Sequence, residues 1–476
     1  MHAPRPLWIK LCACVGVLVL LLFVAVATWM SVGDRRMSLR IAEIRARGEP
    51  ASMAEIEFDR DVPPSDLSRR AREFQAAEEL WIDIDFGDPW EIAGILPHWP
   101  EGQGAAPAME SFARCNDERQ LREGHHEPFE FVAGCRDPRQ LDRLDECQRL
   151  GLEARQLLHE PCIPQCLLLC AASRETGETA ARDWHVAEVF APTDDIMVMI
   201  RACRYLLATV PHLVLSGRTS VAVSRIEAML QGANAIEGLP WTSAHVAWLF
   251  CMDRVLQGCR LLVASHATSL EVDAIRERLA TIDPRPNLER ALLGQRALLI
   301  EVFRNNPRRF PDNDGFFGGD GLLDLAQLRV MAGWDGLVCL DLFEVGIAAS
   351  LAHPWAAPNW RPSQPPDESS LPTWAKLSRW HTPDIGDLQA WTRRLEADLL
   401  LAQAAFEAHA MGEEAGRRLC AETPDPFGGR PLCSRVEDGV LVLWSIGSNF
   451  TDDGGSSAIL PRENYEADIA WYVRLR

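Results

Sequence analysis

The stretch LCACVGVLVLLLFVAVATWM, residues 11–30, sets the architecture of this chain. It contains twenty residues without a charge. At about 1.5 Å per residue a helix of this length spans about 30 Å, which matches the hydrocarbon core of a bilayer. Trp8 and Trp29 lie near its two ends, where aromatic rings anchor helices at membrane interfaces. The stretch predicts one transmembrane helix over residues 11–30.

A cleaved signal peptide is the alternative for the same stretch. Ala25 and Ala27 form an A-x-A pattern of the kind that precedes cleavage. The apolar run, however, is longer than the roughly 7–15 residues of a signal-peptide core. An uncleaved single span is therefore the favoured interpretation.

Composition narrows the classes of function. The chain has 476 residues and a formal net charge of -20, so its field repels polyanions and nucleic acid is not an expected partner. Lys10 and Lys376 are the only lysines, and neither lies in a phosphate-binding loop or a Ser-x-x-Lys motif. No G-x-S-x-G, H-E-x-x-H or G-x-G-x-x-G motif with the required context occurs. These absences disfavour the common hydrolase, metalloprotease and nucleotide-binding classes.

A helical period dominates the chain after the span. Leu67, Ala71, Phe74 and Trp81 recur at helical spacing. The same pattern appears in segments joined by short turns rich in Gly, Pro and Asp: residues 137–158, 194–218, 219–236, 242–264, 269–283, 287–303, 322–345 and 387–410. We predict a mostly α fold, an irregular array of antiparallel helices over residues 31–420 with loops near 84–110 and 353–373.

The cysteines do not show whether the chain folds in a reducing or an oxidising compartment. Two of the 14 lie in the span, and the remaining twelve suit disulfides without requiring them in a chain of this length. Cys162, Cys166 and Cys170 follow one another at four-residue intervals. A zinc site would need a fourth ligand, and leucines surround the three, so we expect buried structural cysteines.

The last segment, residues 421–476, has a different character. RPLCSRV and VLVLWSIG are separated by an acidic turn that ends in Gly439, the pattern of a β-hairpin. DIAWYVRLR is a candidate closing strand. Apolar residues alternate on both faces of the second run, so we expect the preceding helix to cover one face and the last strand the other. The segment predicts a small β-type terminal unit.

The same segment carries a resemblance. The pattern D-P-F-x-G-x-P-L, D-G, then S-x-G-x-N-x-x-D-D-G-G resembles the carboxy-terminal segment of uncharacterised bacterial single-pass membrane proteins and, more distantly, the β-region of type II secretion major pseudopilins. The matching residues are Asp425, Pro426, Phe427, Gly429, Pro431, Leu432, Asp438, Gly439, Ser445, Gly447, Asn449, Asp452, Asp453, Gly454 and Gly455. With the first group the similarity extends to RIAEIRARGEPASMAEI (40–56), SGRTSVAVSRIEAMLQGANAIEGLPWTSAHVAWLF (216–250) and IDPRPNLERALLGQRALLIEVF (282–303). The amino-terminal region lacks the glycine and glutamate that mark pseudopilin processing.

Orientation in the membrane rests partly on that resemblance. Five arginines follow the span and two bases precede it, which by the positive-inside bias argues for a cytoplasmic body. The amino end is short, the bulk is acidic, and the resemblance implies an ectodomain. We therefore predict that residues 1–10 are cytoplasmic and that the bulk lies on the extracytoplasmic side of the inner membrane.

Calcium is the one candidate cofactor. Asn449, Asp452 and Asp453 offer hard oxygen ligands, and the resemblance to pseudopilins implies a calcium site near this segment. The alternative is that these short polar side chains satisfy the backbone of a turn. His125, His126, His185, His212 and His245 are interpreted as ordinary surface or core residues.

The sequence is compatible with three functions. The favoured one is a membrane-anchored helical scaffold, or protein-binding module, of the bacterial cell envelope that binds another envelope protein. The first alternative is a hydrolase-like envelope enzyme between the helices. The second is an accessory component of a type II secretion or pilus-like system.

Overall fold

The computed structural model describes these residues: 7–52, 55–56, 166–167, 193–215, 217–264, 269–305, 322–351, 385–437, 439–455 and 468–474. Several predictions fall on residues outside these ranges: the helical segments at Leu67–Trp81 and 137–158, the loops 84–110 and 353–373, Cys162, Cys170, His125, His126, His185 and Asp438. Where it is described, the chain is mostly helical, with one small antiparallel sheet near its carboxyl end, as the sequence predicts.

The helices agree closely with the apolar period. They are α1 (Leu7–Ala46), α2 (Thr193–Leu215), α3 (Thr219–Ile236), α4 (Thr242–Ala264), α5 (Ser269–Leu279), α6 (Pro284–Asn305), α7 (Leu322–Leu351), α8 (Ile385–Met411) and α9 (Glu413–Glu422). Helix α9 was not predicted from the sequence, because it has few apolar residues.

Helix α1 is longer than the predicted span. It continues unbroken through residue 31, where the ectodomain was expected to begin, because the segment up to Ala46 is rich in good helix formers. Gly48, with φ of 78°, ends the run in the left-handed region that favours glycine. The large apolar side chains of residues 15–24 are 53–71% exposed. Helix α1 is therefore long and apolar enough to cross a membrane or to serve as a signal sequence.

The larger of two main cores surrounds α4 and α8. Helices α2 and α3 pack against α4, which is buried along most of its length, and α5 packs against α3 and α8. Small residues of α8 allow close approach to its neighbours and belong to this core: Ala397, Ala402, Ala404, Ala405 and Ala408. The buried Cys166, from the predicted cysteine cluster, also belongs to it. Helix α8 thus connects the helical body to the terminal sheet.

The smaller core joins α1 to the body. Met37, Ile41 and Ile44 of α1 pack with apolar residues of α6, α7 and the first turns of α8. The carboxyl-terminal half of α1 is therefore part of a folded core, although its amino-terminal half is exposed.

The sheet is a meander of β1 (Cys433–Glu437), β2 (Val440–Ser445) and β3 (Ile469–Arg474). Cys433 pairs with Trp444 in the first ladder, and Ser445 pairs with Ile469 in the second. Leu441 and Leu443 face the large core, while Val442 and Trp444 lie in a separate cluster on the other face. The predicted hairpin and closing strand are confirmed. The expected covering of one face by the last strand is wrong, because β3 pairs along the edge of β2 within the same sheet.

Candidate functional site

The contact between α1 and α7, which we call the helix junction (residues 29–47 and 333–344), links the exposed apolar helix to the body. Trp29 and Trp334 stack with their ring centroids 4.7 Å apart. Trp334 Nε1 donates a hydrogen bond of 3.2 Å to the Trp29 carbonyl oxygen. The Arg36 guanidinium lies 5.0 Å from the centroid of the Trp334 ring, in cation–π range. These contacts lie directly beside the end of the apolar stretch.

Glycines bring the two helices together at the next turn. A Cβ atom at Gly333 would lie 2.8 Å from the Gly33 carbonyl carbon, and one at Gly33 would lie 2.8 Å from the Trp334 ring. Met37 contacts Gly336 one turn further along. Small residues at a helix crossing allow the backbones to approach closely.

The order of these contacts gives the helix direction. Residue numbers rise together along the junction: Gly33 meets Gly333, Met37 meets Gly336, and Arg47 meets Glu344. Helices α1 and α7 therefore run parallel, and the expected antiparallel arrangement does not hold for this pair.

Most of the arginines that follow the span have partners. Arg40 bonds Glu43 at 3.0 Å and Asp341 at 3.3 Å, and Arg45 bonds Glu55 at 2.6 Å. These side chains are partly exposed, so each pair contributes little stability individually. Arginines that were counted for the positive-inside bias thus also take part in contacts of the folded body.

The buried Arg296 completes the junction. It is 0% exposed and bonds Glu49 at 2.7 Å, Glu344 at 3.0 Å and the Pro50 carbonyl oxygen at 3.4 Å. Arg47 bonds the same two carboxylates, at 2.7 Å to Glu49 and 2.6 Å to Glu344. Its hydrogen bond, with that of Arg296, holds the pKa of Glu49 below its usual range. The turn that ends α1 is thereby fixed to α6 and α7.

A second polar group, the central polar cluster, consists of Arg260, Asp398 and Trp471. It joins α4, α8 and β3. Arg260 forms a short ion pair with Asp398 and lies 5.0 Å from the Trp471 ring centroid. Trp471 Nε1 donates to the same carboxylate oxygen at 2.6 Å. All three residues are almost fully buried, so the carboxylate is held by one cation and one neutral donor in a low-dielectric surrounding.

His245 lies in the same core and is not suited to acid–base chemistry at neutral pH. Burial lowers its pKa to about 3, so the ring stays neutral. Thr392 Oγ1 donates to the Leu388 carbonyl oxygen at 2.7 Å, so its lone pair accepts from His245 Nε2 at 2.8 Å. His245 therefore acts as a neutral hydrogen-bond donor between α4 and α8, which agrees with its interpretation as a core residue.

The D-P-F motif organises the turn before the sheet. The Asp425 carboxylate accepts hydrogen bonds from Phe427 N at 2.8 Å, Ser445 Oγ at 2.9 Å and Ile446 N at 3.0 Å. Gly429, with φ of 64°, donates its N–H to the Asp425 carbonyl oxygen at 2.8 Å. A buried carboxylate thus ties the turn after α9 to the end of β2.

The three residues predicted as calcium ligands lie in one loop and bond within it. Asn449 Nδ2 donates to Asp453 Oδ2 at 3.0 Å, and Asn449 Oδ1 accepts from Thr451 N at 2.9 Å. Asp452 Oδ1 accepts from Trp444 Nε1 and Gly454 N, both at 2.9 Å. This is the turn chemistry of the alternative interpretation, and calcium binding stays a prediction.

Asp468, which the sequence did not single out, directly precedes β3 and bonds the same loop. Its Oδ2 accepts from Gly455 N at 2.8 Å. Burial and the charges of Asp453 and Asp452 raise the pKa of Asp468 to about 6. Among the residues that the structure describes, no group of three or more His, Cys, Asp or Glu side chains is arranged to hold a metal ion.

No protein-family model, curated protein or solved structure matches this chain. The function is therefore inferred from the helix junction, the central polar cluster and the terminal loop (residues 446–455). The first two could not be predicted from the sequence, because their members lie far apart in the chain.

Proposed function

We propose that this protein is a membrane-anchored helical scaffold of the bacterial cell envelope, whose body is held at a fixed orientation to the bilayer. The observation that carries the proposal is the continuity of α1. Its exposed apolar half would lie in the membrane, and its other half is packed in the smaller core. A rigid helix that belongs to both regions would transmit the orientation of the membrane anchor to the body.

The helix junction supports retention of the anchor. Trp29 contacts α7 through both its ring and its carbonyl oxygen, two residues beyond the candidate cleavage position Ala27. A signal peptide normally separates from the mature fold at this point. Here the helix continues into its packed part without a break, which favours an uncleaved span.

The arginines that follow the span have a structural role in the fold. Arg40, Arg45 and Arg47 each bond carboxylates at the junction or in the segment after α1, and Arg36 stacks on Trp334. Their position after the span is accounted for by these contacts. The positive-inside bias counts arginines whatever their partners in the folded state, so these residues still favour a cytoplasmic body and the reporter pair below decides the orientation.

The terminal unit fits a supporting role in such a scaffold. Asp425, the central polar cluster and the apolar inner face of β2 all join the sheet to helices. We propose that the sheet caps the array and that another envelope protein binds the body; residues 11–30 provide the membrane contact.

The experiment compares the intact chain with a deletion of residues 1–28. Membranes are washed with alkaline carbonate, and intact masses are measured. We expect the full mass in the washed membranes, and a soluble deletion variant with a helical circular dichroism spectrum. A soluble chain whose mass corresponds to cleavage after Ala27 would overturn the proposal.

A reporter pair tests the orientation. Alkaline phosphatase fused after Arg476 should be active, and a reporter that works only in the cytoplasm, fused at the same point, should be inactive. The opposite result would place the body in the cytoplasm and make the arginine count the better guide.

A further inference from the structure

The direction of α7 places one of its ends on the membrane side of the body. Because α1 and α7 run parallel, the residues of α7 before Trp334 extend in the same direction as the residues of α1 before Trp29. That direction leads toward the exposed apolar half of α1.

Helix geometry gives the distance. Leu322, the first residue of α7, precedes Gly333, which lies against Gly33, by eleven residues. At a rise of about 1.5 Å per residue this corresponds to about 16 Å along the helix axis. Two packed helices commonly cross at about 20–50°, which shortens the distance along α1 to about 10–15 Å, or about 7–10 residues before Gly33. The start of α7 therefore lies at the level of residues 23–26 of α1, in the carboxyl-terminal turns of the predicted span.

The composition of this end suits a lipid interface. Residues 322–331 read LLDLAQLRVM, with four leucines, a valine and a methionine beside Asp324, Gln327 and Arg329. A segment of this length is too short to cross a bilayer. Mixed apolar and charged residues are typical of helical segments that rest at the boundary between headgroups and acyl chains, and an arginine there can contact lipid phosphates.

We propose that the first three turns of α7, residues 322–331, form a second membrane-contact element that enters the interface of the leaflet nearest Trp29. The proposal rests on the proposed function, since it requires α1 to lie in the membrane. With α1 it would give the body two points of contact with the bilayer, joined by the helix junction. Two contacts restrict rotation about the span, which a single helix allows.

Lipid quenching of a fluorescent amino acid tests this. The probe is incorporated by stop-codon suppression, one position at a time, into the full chain in nanodiscs of phosphatidylcholine and phosphatidylglycerol. The test positions are Leu325, Ala326 and Gln327, which cover three sides of one helical turn. Val19, 59% exposed in the apolar half of α1, is the positive control. Val345, 64% exposed on α7 eleven residues beyond Trp334, is the matched negative control.

Brominated lipids should quench the probe strongly at position 19 and by at least half as much at one or more of the three test positions. The probe at position 345 should be quenched by aqueous iodide only. If position 19 is quenched and all three test positions respond like position 345, the second contact is absent while the anchor stands. If position 19 also escapes lipid quenching, the proposed function itself fails. Protection of the test positions from both quenchers would indicate a protein neighbour and would also overturn the second contact.

Discussion

The helix junction and the central polar cluster use the same chemistry in different surroundings. Arg296 and Arg260 are both buried and both bond carboxylates. The partners of Arg296, Glu49 and Glu344, remain 28% and 23% exposed, whereas Asp398 is only 7% exposed. Water can therefore compensate a lost partner at the junction far better than in the central cluster.

The comparison indicates different roles for the two regions. At the junction, glycine contacts determine how closely α1 and α7 approach, and partly exposed ion pairs select their register. In the central cluster, a buried charge holds three elements together, and removal of one partner leaves the other without compensation. The helix junction fixes the orientation of α1 relative to the body, and the central polar cluster holds α4, α8 and β3 together.

The largest effect is expected from Asp398→Ala. Without this carboxylate, buried Arg260 loses its counter-charge and Trp471 Nε1 loses its acceptor. We expect a loss of about 3–5 kcal/mol in the free energy of unfolding, measured by urea titration of the detergent-solubilised chain.

Two further variants sharpen that result. Asp398→Asn retains an acceptor for Trp471 but no charge, so a comparable loss would identify the charge as the main contribution. Glu413→Ala removes an exposed pair with Arg417 and should change stability by less than about 0.5 kcal/mol. If Asp398→Ala lowers the free energy of unfolding no more than Glu413→Ala does, the central polar cluster does not hold α4, α8 and β3 together.

Gly333→Leu tests the junction. Its side chain would collide with the backbone of Gly33, so we expect a loss of about 1–3 kcal/mol and earlier protease cleavage after α1. Gly16→Leu is the matched control, because a Cβ atom there meets nothing within 4 Å. Equal protease sensitivity of the Gly333 and Gly16 variants would contradict the close helix contact.

Asp452→Ala tests the loop that follows β2. The substitution removes the acceptor of Trp444 Nε1 and Gly454 N, for an expected loss of about 1–2 kcal/mol. Melting curves are recorded with calcium and with chelator. An equal loss under both conditions supports turn chemistry, and a calcium-dependent stabilisation found only in the wild type would establish the predicted ion.

Asp468→Asn should produce the smallest effect, and its sign depends on pH. The folded-state pKa of Asp468, about 6, lies above the ordinary value of 3.8, so the folded state binds the proton more tightly. The contribution of this group to stability is therefore greatest below about pH 4 and is lost as the pH rises through about 6.

We consequently expect the Asn variant to melt about 1–3 °C higher than the wild type at pH 7.5, with the difference disappearing near pH 4. Asp453→Asn removes a charge beside Asp468 and should therefore lower the pKa of the Asp468 carboxyl. The pH-dependent loss of stability should then occur at lower pH. A melting difference that does not change with pH would contradict the raised pKa.

The helices and the hairpin that were predicted correctly follow from spacing patterns between neighbouring residues. The ranges 219–236 and 242–264 coincide with α3 and α4, because helical apolar spacing is a property of neighbouring residues. The hairpin was readable for the same reason, since alternating apolar residues flank a turn that ends in Gly439. In the terminal loop, Asn449, Asp452 and Asp453 were identified as one group, but Asp468 was not, because it enters from the start of β3.

The sequence by itself determined that this protein has one helix able to cross a membrane or act as a signal sequence, a mostly helical body and a small terminal sheet. These follow from hydrophobic length and period, which act over a few residues. Tertiary structure alone decided that α1 runs parallel to α7, that Arg296 bonds Glu49 across 247 positions, and that Arg260 bonds Asp398 across 138. The packing of whole helices and strands decides which carboxylate lies beside a buried arginine. A buried charge needs a counter-charge, and only the assembled core brings one within reach.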